Sequence, residues 1–499
     1  MQSLKEIIHL LSQNQIHPFE HLKSADGKAS PSKLLTLYEG VANGQFNSDI
    51  EAEKAIYGDQ AGRSAYRKLK SDLRDHLFEA VMNIDIHQSD FSDYQAAYYQ
   101  CHRQWLMVRI LTGMNANTAA LSLAARLLRQ ADRFDFTLLC MDIVSFLRLQ
   151  YGLRESNDQK FNKAQEDFLQ YRNLYDAECL AEELYTNLIV RYVNHRSAQT
   201  EVHESAVNYY EKIKGYMQQY QSYKLQMYGY LIGLLSHISV NDYQRAEAFC
   251  NKAIDFFGNR PYEARTPLQI FHYQNLICNI QLRQFEAGRI SAQECLKYME
   301  EGTYNWFKYH ELFLQLTLHS KEYQRAEDTI LRILQHPQLH TLPEQEQSLW
   351  SAYGAYLYYL SLMGKIQHPS PEKYKDVLFE SPSPVYSKDK GILSITTIII
   401  RILILLKEHK YRQIIDELDD TNQYCYRHLR GEQTKRSYYL IKMLLSIPLG
   451  LFDEKQVQLK AASLFEKLQQ TPFQVANQTH EFEMIPYEDL WEMALESLR

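Results

Sequence analysis

A helical motif recurs along this 499-residue chain at intervals of about forty residues. The stretch NDYQRAEAFCNKAI, from Asn241, returns as KEYQRAEDTILRIL from Lys321, with five identical residues in a row. Each copy carries a tyrosine three residues before an alanine, Ala246 or Ala326, and apolar or small residues four and seven positions after it. This spacing lines one face of an α-helix. The motif therefore predicts one amphipathic helix per copy.

Looser copies of the template establish a period. With the two copies above, the anchor residues are Ala120, Ala164, Ala206, Ala246, Gly288, Ala326 and Ile414. The gaps between them are 44, 42, 40, 42, 38 and 88 residues, and the last gap is two periods. A degenerate copy is expected near Pro371–Phe379, and another around Ala461. A period kept over most of a chain is typical of repeat architectures.

A second helical segment, richer in Leu, Ile and Tyr, lies between successive anchors, for example at 225–238 and 306–318. Short links at 239–242 and 320–322 then join the two helices of a unit. No run of alternating apolar residues bounded by turn signals predicts a strand. The sequence therefore predicts an all-α fold built from helix pairs.

The motif resembles the second helix of a tetratricopeptide repeat. Tyr243, Ala246 and Ala253 occupy the positions that this family fills with an aromatic residue and two alanines, and Tyr323 and Ala326 match again. The resemblance implies a right-handed superhelical solenoid of about eight or nine antiparallel helix pairs over residues 91–499, closed by a C-terminal capping helix. One helix pair cannot bury its apolar face alone, so neighbouring pairs stack.

The resemblance also implies a function. Solenoids of this family hold peptides or protein surfaces on a concave face lined by the first helices, so we expect a non-catalytic scaffold or adaptor with a protein or peptide partner. Tyrosine, with 37 copies in the chain, suits such a face because it joins an apolar body to a polar tip. The residues expected on the concave face are Asn187, Arg191, Tyr228, His272, Asn275, Lys308, His310, Tyr353 and Arg401.

Residues 1–90 lack the repeat and predict a helical N-terminal domain of three or four helices. Asn47 or Ser48 is suited to cap one helix, and Gly58 to end it. The stretch IYGDQAGRSAYRKLKSDLRDHL is similar to the helix-turn-helix of bacterial regulators that carry tetratricopeptide repeats. This similarity implies an alternative: a transcription regulator that binds DNA through residues 1–90 and senses a peptide or protein partner with its repeats. Its phosphate contacts would be Arg63, Arg67, Lys68, Lys70 and Arg74.

Charge argues against this alternative, because residues 1–90 hold ten Lys or Arg and thirteen Asp or Glu. The net charge of the whole chain is −7. No GxGxxG, GxxxxGK[ST] or HExxH run predicts a cofactor or a zinc-protease site. His336 and His340 have metal-like spacing, but Pro337 opposes a regular helix there. We therefore expect no metal, cofactor or enzyme activity, and a catalytic site dispersed along the sequence stays a third hypothesis.

The seven cysteines are odd in number and form no CxxC pair, which is typical of buried thiols in a reducing compartment. The stretch MQSLKEIIHLLSQNQ has no features of a secretion signal. The most apolar segment, Ile392–Leu406, is fifteen residues long and contains Arg401, so it is too short for a bilayer and predicts a helix buried on all sides. The sequence thus predicts a cytoplasmic protein without a membrane partner.

Overall fold

The computed structural model describes residues 1–19, 32–58, 63–85, 92–194, 199–367, 391–429, 434–473 and 483–499. At 63, 192–194, 199–200 and 391–394 it describes the backbone alone. Regular structure in these ranges comprises twenty-two α-helices and a short 3-10 helix at Pro337–Thr341, with no strand. The predicted all-α class is confirmed. The repeat copy expected near Pro371–Phe379 lies outside the described residues.

The chain divides into two compact units, Met1–Tyr171 and Arg172–Arg499. The first unit contains α1 (Gln2–Gln13), α2 (Lys33–Ala42), α3 (Asp49–Tyr57), α4 (Arg63–Val81), α5 (Asp93–Gly113), α6 (Asn117–Arg133), α7 (Thr137–Leu153) and the first part of α8 (Asp158–Asn194). It has one hydrophobic cluster within 4–84 and another within 97–147. This division into two units does not coincide with the domain boundary expected at residue 90. That boundary stays a prediction.

The helices before residue 85 follow local sequence signals. Ser48 caps α3 by accepting a hydrogen bond from the N–H of Glu51, and Gly58 ends α3 with a φ of +72°. Tyr66, Leu73 and Leu77 form the buried stripe of α4. The predicted cap at Ser48 and the predicted end at Gly58 are confirmed.

The second unit continues from α8 through a further series of helices. They are α9 (Gln199–Gln219), α10 (Tyr223–Ile238), α11 (Tyr243–Gly258), α12 (Arg265–Gln281), α13 (Phe285–Lys297), α14 (Tyr304–His319), α15 (Tyr323–Leu334), α16 (Glu344–Leu362), α17 (Gly391–Lys407), α18 (Tyr411–Asp416), α19 (Leu418–His428), α20 (Lys435–Leu449), α21 (Glu454–Gln470) and α22 (Tyr487–Glu496). From α9 to α17 each helix packs on the next, and α12 also contacts α14.

Five links between helices share one backbone geometry. Each has a residue with positive φ placed five residues before an anchor, namely Asn115, Asn241, Arg283, Lys321 and His409. The N–H of the following residue donates to the carbonyl five residues earlier, as from Asp242 to His237 at 3.0 Å. This bond satisfies a carbonyl at the end of the first helix while the chain reverses. None of the five is glycine, so the left-handed backbone of each costs roughly 1–2 kcal/mol of folding free energy.

All seven anchors lie in helices and are buried. Ala120, Ala206, Ala246 and Ala326 are fully inaccessible, and Ala164 is 6% exposed. A small side chain at these positions lets the neighbouring helix approach closely. The anchors therefore occupy similar environments within their own helix pairs.

The structure differs from the expected helix pairs at α8. The sequence predicts a second helix around Ala164 and a separate first helix at 181–193, whereas one helix runs from Asp158 to Asn194. The stretch RNLYDAECL between them has no glycine or proline, so nothing interrupts the backbone ladder. Two predicted elements are thus one.

The apolar segment at Ile392–Leu406 forms α17. From Ile395 to Leu406 every side chain except that of Arg401 is buried. Arg401 donates to Glu417 at 2.6 Å through Nη2. The predicted buried helix is confirmed over the side chains that the structure describes.

Candidate partner-binding face

Two neighbouring helices of the second unit, α12 and α14, each present one stripe of side chains to the same side. The stripe of α12 comprises Thr266, Ile270, Tyr273, Ile277 and Gln281, at helical spacing. The stripe of α14 comprises Tyr304, Lys308, Glu311, Gln315 and His319. We call these ten residues the first-helix face. They range from the exposed Tyr304 to the fully buried Gln315.

A charged cluster joins the start of α14 to α16. The Lys308 ammonium donates to Glu311 Oε2 at 2.8 Å and to Glu346 Oε2 at 2.9 Å. The Tyr353 hydroxyl donates to the other oxygen of Glu311 at 2.9 Å. Glu311 is 7% exposed and Tyr353 is inaccessible. One ammonium therefore neutralises a buried carboxylate and binds a second, more exposed one.

Burial controls the proton affinities in this cluster. Burial raises the pKa of Glu311, and the attraction of Lys308 opposes that rise. Burial by itself would lower the pKa of Lys308, but Glu311 and Glu346 raise it above its usual range. Lys308 thus stays cationic. Because Glu311 and Tyr353 are buried and bonded to each other, the cluster does not favour the hypothesis of a dispersed catalytic site, which stays untested.

The chain's own C-terminal segment, which the structure describes at 471–473 and 483–486, contacts the first-helix face at Phe473 and Glu483. Gln281 donates from Nε2 to the carbonyl of Phe473. Gln315 Nε2 and His319 Nε2 both contact the carbonyl of Glu483, at 3.1 and 2.9 Å. The ring of Phe473 lies 4.8 Å from that of His319. Side chains from two successive first helices therefore hold this segment by its backbone.

Arg436 of α20 also binds this segment. Its guanidinium donates to Glu483 Oε2 from Nε and to Glu488 Oε2 from Nη2, both at 2.8 Å. Nη1 donates to the carbonyls of Leu468 and Thr471, at 3.0 and 2.7 Å. Arg436 is 5% exposed and Glu483 is 2% exposed. This bidentate pair is thus buried and satisfied.

A smaller aromatic and ionic patch joins α8 to α10. Lys224 Nζ lies 2.6 Å from Glu182 Oε2. The rings of Tyr185 and Tyr228 are 5.4 Å apart. Val190, on the next turn of α8, is 54% exposed. We call Glu182, Tyr185, Lys224 and Tyr228 the α8–α10 patch.

The nine residues predicted to bind a partner fall into two groups. Those with exposed or half-buried side chains are Asn187, Arg191, Tyr228, Lys308 and Arg401. Those that are buried are His272, Asn275, His310 and Tyr353. Only Lys308 belongs to the first-helix face, and only Tyr228 to the α8–α10 patch. Their role in binding stays a prediction, but the buried four present almost no surface to a partner.

The buried members contact other side chains inside the protein. Asn275 donates from Nδ2 to Asn251 Oδ1 at 3.0 Å and to Ser291 Oγ at 3.3 Å. The His310 ring packs 4.2 Å from that of Trp306, and neither of its nitrogens has a hydrogen-bond partner among the described residues. Sequence reasoning missed Tyr273, which lies on the face one position after His272. A shift of one residue turns a side chain by about 100° around the helix axis. The periodicity therefore predicted the helix but not which of its side chains lie on the face.

The basic residues proposed to contact DNA lie on α4. Arg67, Lys68 and Arg74 are exposed. Lys70 is held by Asp49, at 2.8 Å from Oδ1. Arg63 is the first residue of the helix, and its side chain lies outside the described part. DNA binding stays a prediction, which a salt-dependent mobility shift of the full-length chain tests.

No three metal-ligating side chains cluster among the residues that the structure describes. His336 caps the 3-10 helix, where its Nδ1 accepts from the N–H of Gln338 at 3.2 Å, and His340 is exposed. All seven cysteines are free thiols, and only Cys179 is not buried. Over the same described ranges, no helix has the length and apolarity that crossing a bilayer requires.

Comparison with known proteins identifies no relative: no protein-family model, no curated protein and no solved structure matches the chain. The resemblance to tetratricopeptide repeats therefore stays a prediction. Function is inferred below from the chain's own contacts.

We expect the substitution Lys308→Met to lower the free energy of unfolding by about 1–3 kcal/mol at pH 7. The variant leaves Glu311 buried without its ammonium, although partial exposure of Lys308, with 30% of its side chain accessible, moderates the loss. Glu311 has a raised pKa in the folded state, so its penalty grows as pH rises and disappears as the carboxyl takes a proton. The loss should therefore shrink toward pH 4, as measured by urea unfolding.

The matched control is Lys297→Met, which removes a surface ammonium 2.7 Å from Glu294. An exposed pair of this kind contributes roughly 0–1 kcal/mol. Equal losses from the two lysine variants at both pH values would contradict the assigned role of Lys308.

Proposed function

We propose that this protein is a non-catalytic scaffold or adaptor that binds an extended polypeptide segment of a partner on its first-helix face. In this proposal the helix pairs form a tetratricopeptide-like, right-handed solenoid of about eight or nine antiparallel pairs, and the face lines its concave side. The observation that carries the proposal is the bound C-terminal segment of the chain itself, fastened by Gln281, Gln315 and His319.

These contacts are of the kind that peptide binding uses. The side chains reach main-chain carbonyls, so they hold a segment in place whatever its side chains are. The Phe473 ring on His319 adds apolar contact beside them. A face that binds main-chain carbonyls and contacts one aromatic ring is suited to an irregular or extended peptide. The internal segment serves as a template for the partner's binding mode.

Much of the face remains accessible beyond this segment. Tyr304 is 52% exposed, and Tyr273 and Lys308 are half-buried beside it. The α8–α10 patch adds Tyr185 and Tyr228 with their neighbouring ion pair. Tyrosine is enriched at protein interfaces because it supplies contact area at little conformational cost. We assign these tyrosines the role of anchoring a partner.

Selection of phage-displayed peptides on the full-length chain tests the proposal. Selected peptides are expected to lose at least about tenfold in affinity with Tyr273→Ala or Tyr228→Ala, since interface tyrosines are frequent hot spots. Tyr216→Ala, a change on α9 at a tyrosine that is 41% exposed, is the matched control and should leave affinity unchanged. Affinity is measured by fluorescence anisotropy, and circular dichroism checks folding.

Two results would refute this function. One is failure to select any peptide that binds in solution. The other is a set of peptides whose affinity neither tyrosine variant changes while both variants remain folded.

A further inference from the structure

An open groove lies in the first unit, between α6, α7 and the start of α8. Its volume is about 390 Å³. Leu128, Val144 and Leu147 form its apolar floor, and the small side chains Ala125 and Ala164 leave room on either side. Pockets that bind small molecules commonly span about 300–1,000 Å³ and are mostly apolar with a few polar groups. The groove satisfies both conditions.

A comparable junction in the second unit is closed by two aromatic rings. Tyr210, four residues after the anchor Ala206, packs 5.4 Å from Phe249, three residues after the anchor Ala246. The corresponding residues in the first unit are Ala124, four after Ala120, which is buried, and Asp167, three after Ala164, which lines the groove. An alanine and an aspartate cannot fill the space of two rings. The first unit therefore lacks the two aromatic rings that close the comparable junction in the second unit.

The aromatic residue that precedes the anchor also points away from the groove. Tyr243, three residues before Ala246, is 3% exposed, whereas Phe161, three before Ala164, is 37% exposed. The Phe161 ring lies instead against Gly152, within 3.0 Å of the position that a Cβ there would take. Phe161 thus contributes no ring to the cavity, and the aromatic residue in its lining is Tyr151.

Two lysines lie at the edge of the groove. Lys160 and Lys163 lie one turn apart at its edge, and each has one carboxylate partner, Glu155 at 2.7 Å and Asp167 at 2.9 Å. Arg148 lies nearby on α7 and donates to Gln165 at 2.9 Å. The charged residues that line the groove are Lys160, Lys163 and Asp167. Exposed ion pairs contribute only about 0–1 kcal/mol, so a ligand carboxylate can join the two lysines without a large penalty.

We propose that this groove binds a small amphiphilic monoanion, a molecule with an apolar body and one carboxylate. The apolar body lies on Leu128, Val144 and Leu147, and the carboxylate lies between the ammonium groups of Lys160 and Lys163. Burial of the apolar body supplies most of the affinity, at roughly 25 cal/mol per Å². The two lysines select for a negative head group.

Titration of the full-length chain with sodium decanoate, followed by calorimetry, tests the proposal. Decanoate is expected to bind at one site, and decanol, which has the same apolar body without the charge, about fivefold more weakly. Absence of decanoate binding up to millimolar concentration overturns the proposal. Equal binding of decanol overturns the role of the lysines.

Variants locate the site. Ala125→Phe places a ring in the groove from a half-buried position and should weaken decanoate binding more than tenfold. Lys163→Gln should weaken it about fivefold, whereas Lys214→Gln, which removes an exposed lysine paired with Glu211, should change nothing. A folded Ala125→Phe variant that binds as tightly as the unchanged chain overturns the proposal. If that variant fails to fold, the Lys160→Gln/Lys163→Gln variant decides: weaker binding supports the site, and unchanged binding overturns it.

Discussion

Arg436→Met should lower the free energy of unfolding by about 3–5 kcal/mol, the largest effect that we expect of a single substitution. The variant leaves Glu483, 2% exposed, without its bidentate partner, although the N–H of Tyr487 still donates to Glu483 Oε1 at 2.8 Å. It also removes one donor to the carbonyl of Leu468 and one to the carbonyl of Thr471. Loss of the counter-ion lowers the free energy of unfolding far more for a buried carboxylate than for an exposed one. Urea denaturation at pH 7 measures the change.

A second substitution separates charge from packing. Glu483→Gln combined with Arg436→Met removes the uncompensated charge and should recover part of the loss, by about 1–3 kcal/mol. Arg412→Met, at an exposed arginine of α18, is the control and should stay within about 0.5 kcal/mol of the unchanged chain. A loss below about 1 kcal/mol for Arg436→Met would show that the pair does not hold the C-terminal segment.

Acidification should destabilise the protein through two histidines, the buried His310 and the half-buried His319. Burial lowers the pKa of His319 and of His310 from 6.5 to about 4. Between these values the unfolded chain takes up protons that the folded chain does not. Stability is therefore present above about pH 6.5 and is lost as pH falls toward 4. Each histidine should account for ~3 kcal/mol of that loss.

Variants that cannot take up a proton assign this loss. His319→Gln keeps an N–H that can reach the Glu483 carbonyl, and His310→Leu replaces a ring whose nitrogens make no hydrogen bond among the described residues. Each should flatten the dependence of unfolding free energy on pH between 7 and 4, measured from urea midpoints at one-unit steps. His340→Gln, at an exposed histidine, is the control. Parallel curves for all four proteins would contradict the assignment.

The two predictions concern the same structural element, because His319 contacts the backbone carbonyl of Glu483 and Arg436 binds its carboxylate. Protonation of His319 places a cation in the apolar interior, near the positive charges of Arg283 and Arg436. Acid should therefore loosen the contact between the C-terminal segment and the first-helix face. The proposed peptide site and the stability of this region are thus physically coupled.

The sequence by itself determined most of the helices and the links between them, with α8 as an exception. The motif at Ala246 and Ala326 places apolar side chains at helical spacing, and the links predicted at 239–242 and 320–322 are those that the structure has. These features depend on interactions within one helix or across one turn, so a local pattern suffices to predict them. The same holds for α17, whose apolar residues leave no polar side to face water.

Only the tertiary structure decided which side chains meet. Tyr273 rather than His272 lies on the candidate face, because a one-residue error in phase turns the side chain by about 100°. Lys308 and Glu346 are 38 residues apart in sequence, and Gln315 and Glu483 are 168 apart. No periodicity connects positions so distant, since their contact results from the packing of whole helices. The candidate site is therefore a product of packing, whereas the helices that carry it are a product of local pattern.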